Sequence, residues 1–156
     1  TGVASVLALQ AGYAVTHVDA SRTSLAWARE NARLSGVEED LRVVLEDALR
    51  FVQREVRRGR RYEAILLDPP HYGRGPKGEK WQFETGIASL LGSCAELLAE
   101  QAFLVLSTYA IGTSPLALAN LLTGLEGGNL EYGELALPEE GGERLLPAGF
   151  CARWWR

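Results

Sequence analysis

Residues 64–72 read AILLDPPHY, and this stretch decides which fold the chain adopts. Four consecutive apolar residues, 64–67, are typical of a strand that is buried on both faces of a parallel sheet. The carboxylate of Asp68 stands at the strand end, and Pro69 and Pro70 then fix a rigid turn without backbone donors. Because open α/β sheets bind ligands at the carboxyl ends of their strands, the stretch predicts a turn that faces a ligand.

Strand-like and helical patterns alternate on both sides of this stretch. The predicted strands cover residues 13–18, 41–45, 62–67 and 102–108, and the predicted helices cover 3–11, 21–34, 48–58, 85–98 and 115–125. This alternation predicts an α/β fold of βαβ units, with a parallel sheet between helices. Two further strands, 130–137 and 145–154, are joined by a turn-rich link and predict a closing antiparallel hairpin.

Length and composition fit a globular domain. The chain has 156 residues, of which 47% are hydrophobic and 23% charged, with a net charge of −4. We expect one domain over residues 1–156 with a sizeable core. The acidic balance disfavours a general nucleic-acid coat protein, whose affinity comes from phosphate neutralisation. The sequence has neither an apolar run long enough for a membrane span nor a signal peptide, so we expect a cytoplasmic protein without membrane association.

The two cysteines give no sign of a metal centre. Cys94 and Cys151 are far apart and lack the spacing of a zinc site. We expect both to be small buried residues in a reducing compartment, and we expect no metal.

Carboxylates recur at three predicted strand ends, at Asp19, Asp47 and Asp68. The first is placed to accept both hydroxyls of a ribose, and the second to accept an adenine amine. Asp19 and Asp47 each have an alternative role as the N-cap of the following helix. Ser21 offers a separate cap after Asp19, which leaves that carboxylate for a ligand. The three together favour a nucleoside site.

A nicotinamide-dependent dehydrogenase is the nearest rival with such strand ends. Its first turn should read Gly-x-Gly-x-x-Gly, because a pyrophosphate must approach the amides at the helix start. Residues 1–5 read TGVAS, and the next glycine is Gly12. The sequence therefore favours a nucleoside that carries no phosphate.

The series TGVAS (1–5), VDAS (18–21), DA (47–48) and DPPHY (68–72) resembles the class I, Rossmann-like S-adenosylmethionine-dependent methyltransferases. More narrowly, it is similar to the bacterial ribosomal RNA large-subunit methyltransferases, whose fourth motif reads Asp-Pro-Pro-x-Phe/Tyr. The resemblance implies a sheet of order 3-2-1-4-5-7-6 with an antiparallel last strand. The chain contains no methionine and starts on a strand-to-helix turn, so we expect the first strand to precede Thr1. We then expect residues 1–156 alone to bind cofactor weakly.

The resemblance also implies which residues serve S-adenosylmethionine. The methionine part, ribose and adenine are assigned in turn to Thr1 and Gly2, to Asp19 with Ala20 and Ser21, and to Asp47 with Ala48. The methyl group and acceptor are assigned to the catalytic candidates Asp68, Pro69, Pro70 and Tyr72. Asp68 is also a cofactor-binding candidate, and a role for the cofactor alone is favoured over one in holding the N–H of an acceptor amine. This assignment requires the carboxylates of Asp19, Asp47 and Asp68 to line one crevice.

The expected methyl acceptor is RNA, on a base nitrogen. Cytosine C5 chemistry needs a cysteine near the Asp-Pro-Pro turn or after the fifth strand, where residues 107–110 read STYA. Basic groups interleaved with aromatic ones suit an unpaired nucleotide. The substrate-binding candidates are Tyr72, Arg74, Lys77, Lys80 and Trp81.

Two features are explained without a role in the site, and two alternative functions stay open. We expect His71 to be a surface residue of the loop, and the basic run 54–61 to be a solvated helix end that complements the helix dipole. A methyltransferase of a protein or small molecule is the alternative within the family. A non-catalytic nucleoside-binding module is the alternative outside enzymes. The oligomeric state has no signature in the sequence.

Overall fold

The computed structural model describes residues 1–109 and 112–156. They pack as two compact units, the first made of residues 1–54 and 74–80 and the second of residues 55–73 and 81–156. That residues 1–156 form one domain stays a prediction.

The elements alternate as the sequence predicts. In chain order they are α1 (Val3–Gln10), β1 (Val15–Asp19), α2 (Arg22–Leu34), a 3-10 turn (Glu38–Asp40), β2 (Leu41–Leu45), α3 (Ala48–Arg57), β3 (Tyr62–Leu67), β4 (Tyr72–Arg74), β5 (Lys80–Gln82), α4 (Phe83–Ala95), β6 (Leu98–Thr108), α5 (Pro115–Leu122), β7 (Asn129–Pro138) and β8 (Leu145–Trp155). The α/β class is confirmed.

The first unit is built on two parallel strands. β1 pairs with β2 over their whole length, so that Asp19 lies opposite Leu45. α2 packs against both strands and buries Leu25, Ala28 and Ala32, which share one face of the helix. Both strands therefore end at the same edge, just ahead of Ser21 and Asp47.

The second unit contains a four-stranded mixed sheet of order β3-β6-β8-β7. β3 runs parallel to β6, and β8 runs antiparallel to both β6 and β7. The predicted closing hairpin is thus confirmed. Trp154 is buried and its neighbour Trp155 is exposed at the end of β8, because adjacent strand residues point to opposite faces.

The predicted strand order agrees with the pairing inside each sheet. β1 and β2 correspond to the second and third strands of the expected order, and β3, β6, β7 and β8 to the fourth, fifth, sixth and seventh. The complete order stays a prediction. Among the described residues, no helix combines the length and apolar character that crossing a membrane requires.

Some of the element boundaries predicted from the sequence were wrong. The predicted helix 85–98 starts at Phe83 and stops at Ala95, since Leu98 already pairs with Tyr62 in the sheet. The predicted strand 13–18 starts at Val15, because the Tyr13 amide closes the end of α1 on Ala8 O. The three-residue strands β4 and β5 were not predicted, since so short a hairpin has no alternating pattern.

Candidate functional site

Asp19 ends β1 and closes the turn into α2. Its Oδ1 accepts the Ser21 amide at 2.7 Å, while Ser21 Oγ accepts the Ser24 amide at 3.2 Å. The cap of α2 is therefore Ser21, as the sequence predicts, and Asp19 braces the turn before it. Ala20, between them, is half-buried. The second carboxylate oxygen of Asp19 has no partner among the described residues.

Asp47 follows β2 and caps α3. Its Oδ1 accepts the Arg50 amide at 3.0 Å, and its carbonyl accepts the Phe51 amide at 2.9 Å. The capping role that the sequence left open is therefore real, and it uses one carboxylate oxygen. Ala48 is the exposed first residue of the helix. A ligand at this strand end still has the other oxygen of Asp47 available.

Thr1 and Gly2 are held against α2. The Asn31 side-chain amide donates to Thr1 O at 2.7 Å. Gly2 has φ 79°, and a Cβ at that position would lie 2.8 Å from Ala28 Cβ. Only glycine combines this left-handed backbone with so close an approach. Packing thus explains Gly2 without a ligand.

Asp68 is exposed at the end of β3 and is held by the neighbouring strand. Ser107 Oγ on β6 donates to Asp68 Oδ1 at 2.9 Å. Within residues 1–109 and 112–156, no lysine or arginine lies within ion-pair distance of Asp19, Asp47 or Asp68. All three carboxylates thus keep an unneutralised charge. That they line one crevice stays a prediction.

The Pro69-Pro70 turn is anchored by groups distant in sequence. Trp81 Nε1 donates to Pro70 O at 2.7 Å, and the Phe83 amide donates to His71 O at 2.9 Å. The Trp81 ring lies on α4, where a Cβ at Gly86 would come within 2.6 Å of it. Pro69 is half-buried and Pro70 exposed. Trp81 therefore fixes the turn, and its role as a stacking surface for substrate stays a prediction.

His71 is more firmly held than a plain surface residue. Its Nε2 lies 2.5 Å from Glu84 Oε1, and its ring centroid lies 4.1 Å from that of Tyr72. Tyr72 itself is 65% exposed. The turn after β3 thus presents an exposed carboxylate, an oriented imidazole and an exposed phenol ring.

The residues that follow this turn in the chain include a basic segment, which we define as Arg74, Lys77 and Lys80. All three are exposed, and none has an ion-pair partner among the described residues. Glu79 organises the backbone between them, since its Oε2 accepts the Lys77 amide at 2.9 Å and its Oε1 lies 3.1 Å from Arg50 Nη1. Three free cations therefore remain available to an anionic partner.

The basic run 54–61 is partly neutralised. Arg54 pairs with Glu46 at 3.0 Å, and Arg58 pairs with the buried Glu55 at 3.0 Å. These pairs agree with the structural role expected for this helix end.

Neither cysteine is suited to nucleophilic chemistry. Cys94 is fully buried in α4, and burial raises the pKa of its thiol to about 12. Cys151 is half-buried on β8, and burial again raises the pKa of the thiol. Both therefore stay protonated near neutral pH. In the stretch 107–110, Ala110 lies outside the described residues.

A cavity of about 490 Å³ opens beyond the end of β6. Its lining includes Tyr109, Glu134, Pro147 and Phe150. Phe150 pairs with Thr108, the last residue of β6.

Sequence reasoning missed Ser107, Glu84 and this cavity. Ser107 had a usable signal, because it stands at the end of a strand predicted to neighbour the strand of Asp68. Glu84 and the cavity depend on how α4 and the β7–β8 hairpin pack, for which no local pattern exists.

Comparison with solved structures identifies the fold. The SAM-dependent methyltransferase from Agrobacterium tumefaciens is 41% identical, with a TM-score of 0.95 over 99% of this chain and 52% of that chain. A methyltransferase-like protein complexed with SAH is 20% identical, with a TM-score of 0.74 over 96% of this chain and 41% of that chain. At that lower identity, the second match supports the fold alone.

Sequence relatives point to one group. Ribosomal RNA large subunit methyltransferase K of Neisseria meningitidis serogroup B is 31% identical over 110 residues, which are 69% of this chain and 31% of the relative. Ribosomal RNA large subunit methyltransferase K/L of Methylococcus capsulatus is 35% identical over 111 residues, 69% of this chain and 15% of the relative. The chain thus spans less than a third of the length of these curated relatives. No protein-family model matches it.

Proposed function

Because the chain has the class I methyltransferase fold and is homologous to S-adenosylmethionine-dependent methyltransferases, we propose that it transfers a methyl group from S-adenosylmethionine to RNA. The favoured acceptor is a base nitrogen. The observation that carries the proposal is the Asp68-Pro69-Pro70 turn, whose carboxylate is exposed, free of any cation among the described residues and fixed by Ser107. A turn of this kind presents the fixed negative charge of Asp68 to a ligand.

The first unit offers groups that fit the adenosine part of the cofactor. Asp19 and Asp47 stand at adjacent strand ends, and each uses one oxygen for a backbone amide. The other oxygen of each remains an acceptor, suited to a ribose hydroxyl or an adenine amine. Neither carboxylate has a cation beside it in the described residues, so neither charge is already neutralised. These groups suit the adenosine part of a cofactor that carries no phosphate.

The turn after β3 supplies the acceptor side. S-adenosylmethionine brings an activated methyl group with a good leaving group, so the protein mainly contributes alignment and electrostatics. Asp68 accepts an N–H of the acceptor amine and orients its lone pair. Trp81 and Ser107 keep the turn from moving, and Tyr72 stacks on the base. Rigid support of this kind makes a short approach distance reproducible.

RNA is favoured over a protein or a small molecule for two reasons. The matched relatives are named as ribosomal RNA methyltransferases. The basic segment of Arg74, Lys77 and Lys80 presents three exposed cations in the residues that follow Tyr72 in the chain, which suits contact with a phosphate backbone. A base nitrogen is favoured over cytosine C5, because neither Cys94 nor Cys151 supplies the nucleophile. A cytoplasmic location follows from a ribosomal RNA substrate.

Labelled methyl transfer tests the proposal directly. The purified protein is incubated with methyl-labelled S-adenosylmethionine and, in parallel, with unmodified ribosomal RNA, a protein pool or a small-molecule pool. We expect label in the RNA. Label only in another pool would reject the RNA acceptor but keep the enzyme, whereas cofactor binding without any labelled product would favour the non-catalytic module.

The basic segment gives a matched test of the acceptor. We expect R74A/K77A/K80A to raise KM for RNA and to weaken its salt dependence, with cofactor binding unchanged, because counterion release scales with the phosphates contacted. The control is R57A/R60A/R61A, which removes three exposed arginines from the other basic run. Equal changes in both triple variants would mean that only net charge matters.

A further inference from the structure

His71 has the geometry of an oriented base. Its Nε2 lies 2.5 Å from Glu84 Oε1, and its ring is partly exposed, with 26% of the side chain accessible. An ionised carboxylate only accepts hydrogen bonds, so this contact places the N–H of the neutral ring on Nε2. Nδ1 then carries a lone pair, and no described residue uses it.

The partner of His71 is held as an anion. Glu84 lies in the first turn of α4, where the helix dipole favours negative charge. The backbone N–H of Glu84, and after it the His71 ring, hold the pKa of this carboxyl below its usual range. Glu84 is therefore charged at neutral pH and stabilises a positive charge on the imidazole.

The backbone around the pair is also anchored. The Phe83 amide donates to His71 O at 2.9 Å, and Trp81 Nε1 donates to Pro70 O at 2.7 Å. The carbonyl of Pro70 is thus tied to Trp81 of β5, and that of His71 to Phe83 at the start of α4, the helix that carries Glu84. Asp68 lies three residues before His71 in the same turn. The imidazole is thus held by Glu84 in the same turn that carries Asp68.

We propose that His71, oriented by Glu84, accepts the proton that the acceptor amine loses on methylation. This inference rests on the proposed function and assigns a catalytic task to a position of the motif that the sequence leaves as loop surface. The interaction resembles other histidine–carboxylate pairs, in which the carboxylate fixes the tautomer and stabilises the imidazolium.

The step balances without a further reagent. The lone pair of the acceptor nitrogen forms the new N–C bond, and the S–C bonding pair leaves with the sulfur as a neutral thioether. The nitrogen becomes cationic and gives an N–H proton to His71 Nδ1. The resulting imidazolium faces Glu84 from α4 and stacks on Tyr72 of β4, and it later returns the proton to water.

The test separates a proton acceptor from a structural link. His71→Gln retains an amide N–H that can reach Glu84 but has no basic nitrogen. We expect H71Q to lower kcat for methyl transfer by about 10²-fold, the usual size of a general-base contribution, with cofactor KM unchanged. We also expect the wild-type kcat to fall as the pH is lowered and the imidazole becomes protonated, and we expect this acid limb, the one due to the imidazole, to be missing in H71Q.

Glu84→Gln provides the second measurement. It should lower kcat less than H71Q and move the acid limb to lower pH, because the imidazolium loses its countercharge. Glu96→Gln, at the exposed other end of α4, is the matched control and should leave both unchanged. If H71Q does not fold, the proposal is tested by whether the acid limb of the kcat–pH profile moves to lower pH in E84Q.

The outcomes are distinct. An active wild type together with an H71Q variant of equal kcat and unchanged pH profile overturns the role of His71 and leaves the proposed function intact. An E84Q profile that coincides with the wild-type profile also overturns it. A wild type that methylates no pool overturns both proposals.

Discussion

The strand-end carboxylates of the two units are fixed by different kinds of contact. Asp19 and Asp47 accept amides only two and three residues further along the chain, from Ser21 and Arg50. Asp68 instead accepts a hydroxyl from Ser107, 39 residues away on β6. The first kind of site forms wherever the chain passes from strand to helix. The second exists only when two strands have paired.

The turns around these residues differ in the same way. The first unit needs only the start of α2 or α3 to hold its carboxylates. The second unit anchors the Pro70 carbonyl through Trp81, whose ring requires a glycine at position 86. Local caps tolerate changes elsewhere in the fold, whereas the Asp68 turn depends on the packing of α4. Cofactor binding and methyl transfer should therefore respond to different mutations.

The largest expected effect comes from the charge of Asp68. Asp68→Asn keeps an oxygen that accepts the Ser107 hydroxyl but removes the negative charge. We expect methyl transfer to fall by about 10²–10³-fold, the usual loss when a preorganised electrostatic group is removed. Single-turnover rates measure this, and thermal unfolding should be unchanged. Ser107→Ala, which keeps the charge and loses one hydrogen bond, should cost far less, and equal losses would assign the effect to geometry.

A smaller effect is expected at Asp19. Asp19→Asn still accepts the Ser21 amide, so the turn should survive. We expect the cofactor Kd to rise by about tenfold, since hydrogen bonds to a charged group contribute about 1.5–3 kcal/mol. Calorimetric titration measures the Kd. Ser21→Ala is the complementary change and should lower the free energy of unfolding by about 1 kcal/mol through the lost cap. A normal Kd in D19N would remove Asp19 from the cofactor site.

The smallest effect is expected at Trp81. Trp81→Phe keeps an aromatic side chain but removes the N–H that binds Pro70 O, together with the outer indole atoms that lie near Gly86. We expect a loss of about 1 kcal/mol of stability and a methyl-transfer rate reduced about fivefold, because one neutral hydrogen bond is lost. Trp27→Phe, at an exposed position of α2, is the matched control and should change neither quantity. A cofactor Kd raised in W81F and not in W27F would contradict the expectation that this turn affects methyl transfer and not cofactor binding.

The features that could be predicted from the sequence are those that depend on local contacts, and the features that could not depend on contacts between residues distant in the chain. The helices, the strands and the caps at Ser21 and Asp47 depend on neighbours within one turn, and their residue types predict them. The apolar run 64–67 and the two prolines likewise indicate the strand and the turn that follows it. The pairing of His71 with Glu84 spans 13 residues and that of Asp68 with Ser107 spans 39. Such contacts depend on chain packing, which no spacing rule encodes.

The misjudged boundary at residues 85–98 has the same cause. Residues 96–101 carry no strand pattern of their own, yet Leu98 joins β6 because Tyr62 lies beside it. A helix predicted from its apolar pattern is extended until a local signal, such as a proline or a glycine, ends it. In this chain the helix ends earlier, because Leu98 pairs with the neighbouring strand.

The close fit of Gly2 on Ala28 has a consequence for how such chains change over evolution. Any larger residue at position 2 collides with the second helix whether or not a nucleoside is bound. Natural selection for a folded protein would therefore retain this glycine in descendants that had abandoned methyl transfer altogether. The carboxylate of Asp68, which no buried neighbour requires, would be free to drift in those descendants and is the better marker of a working enzyme.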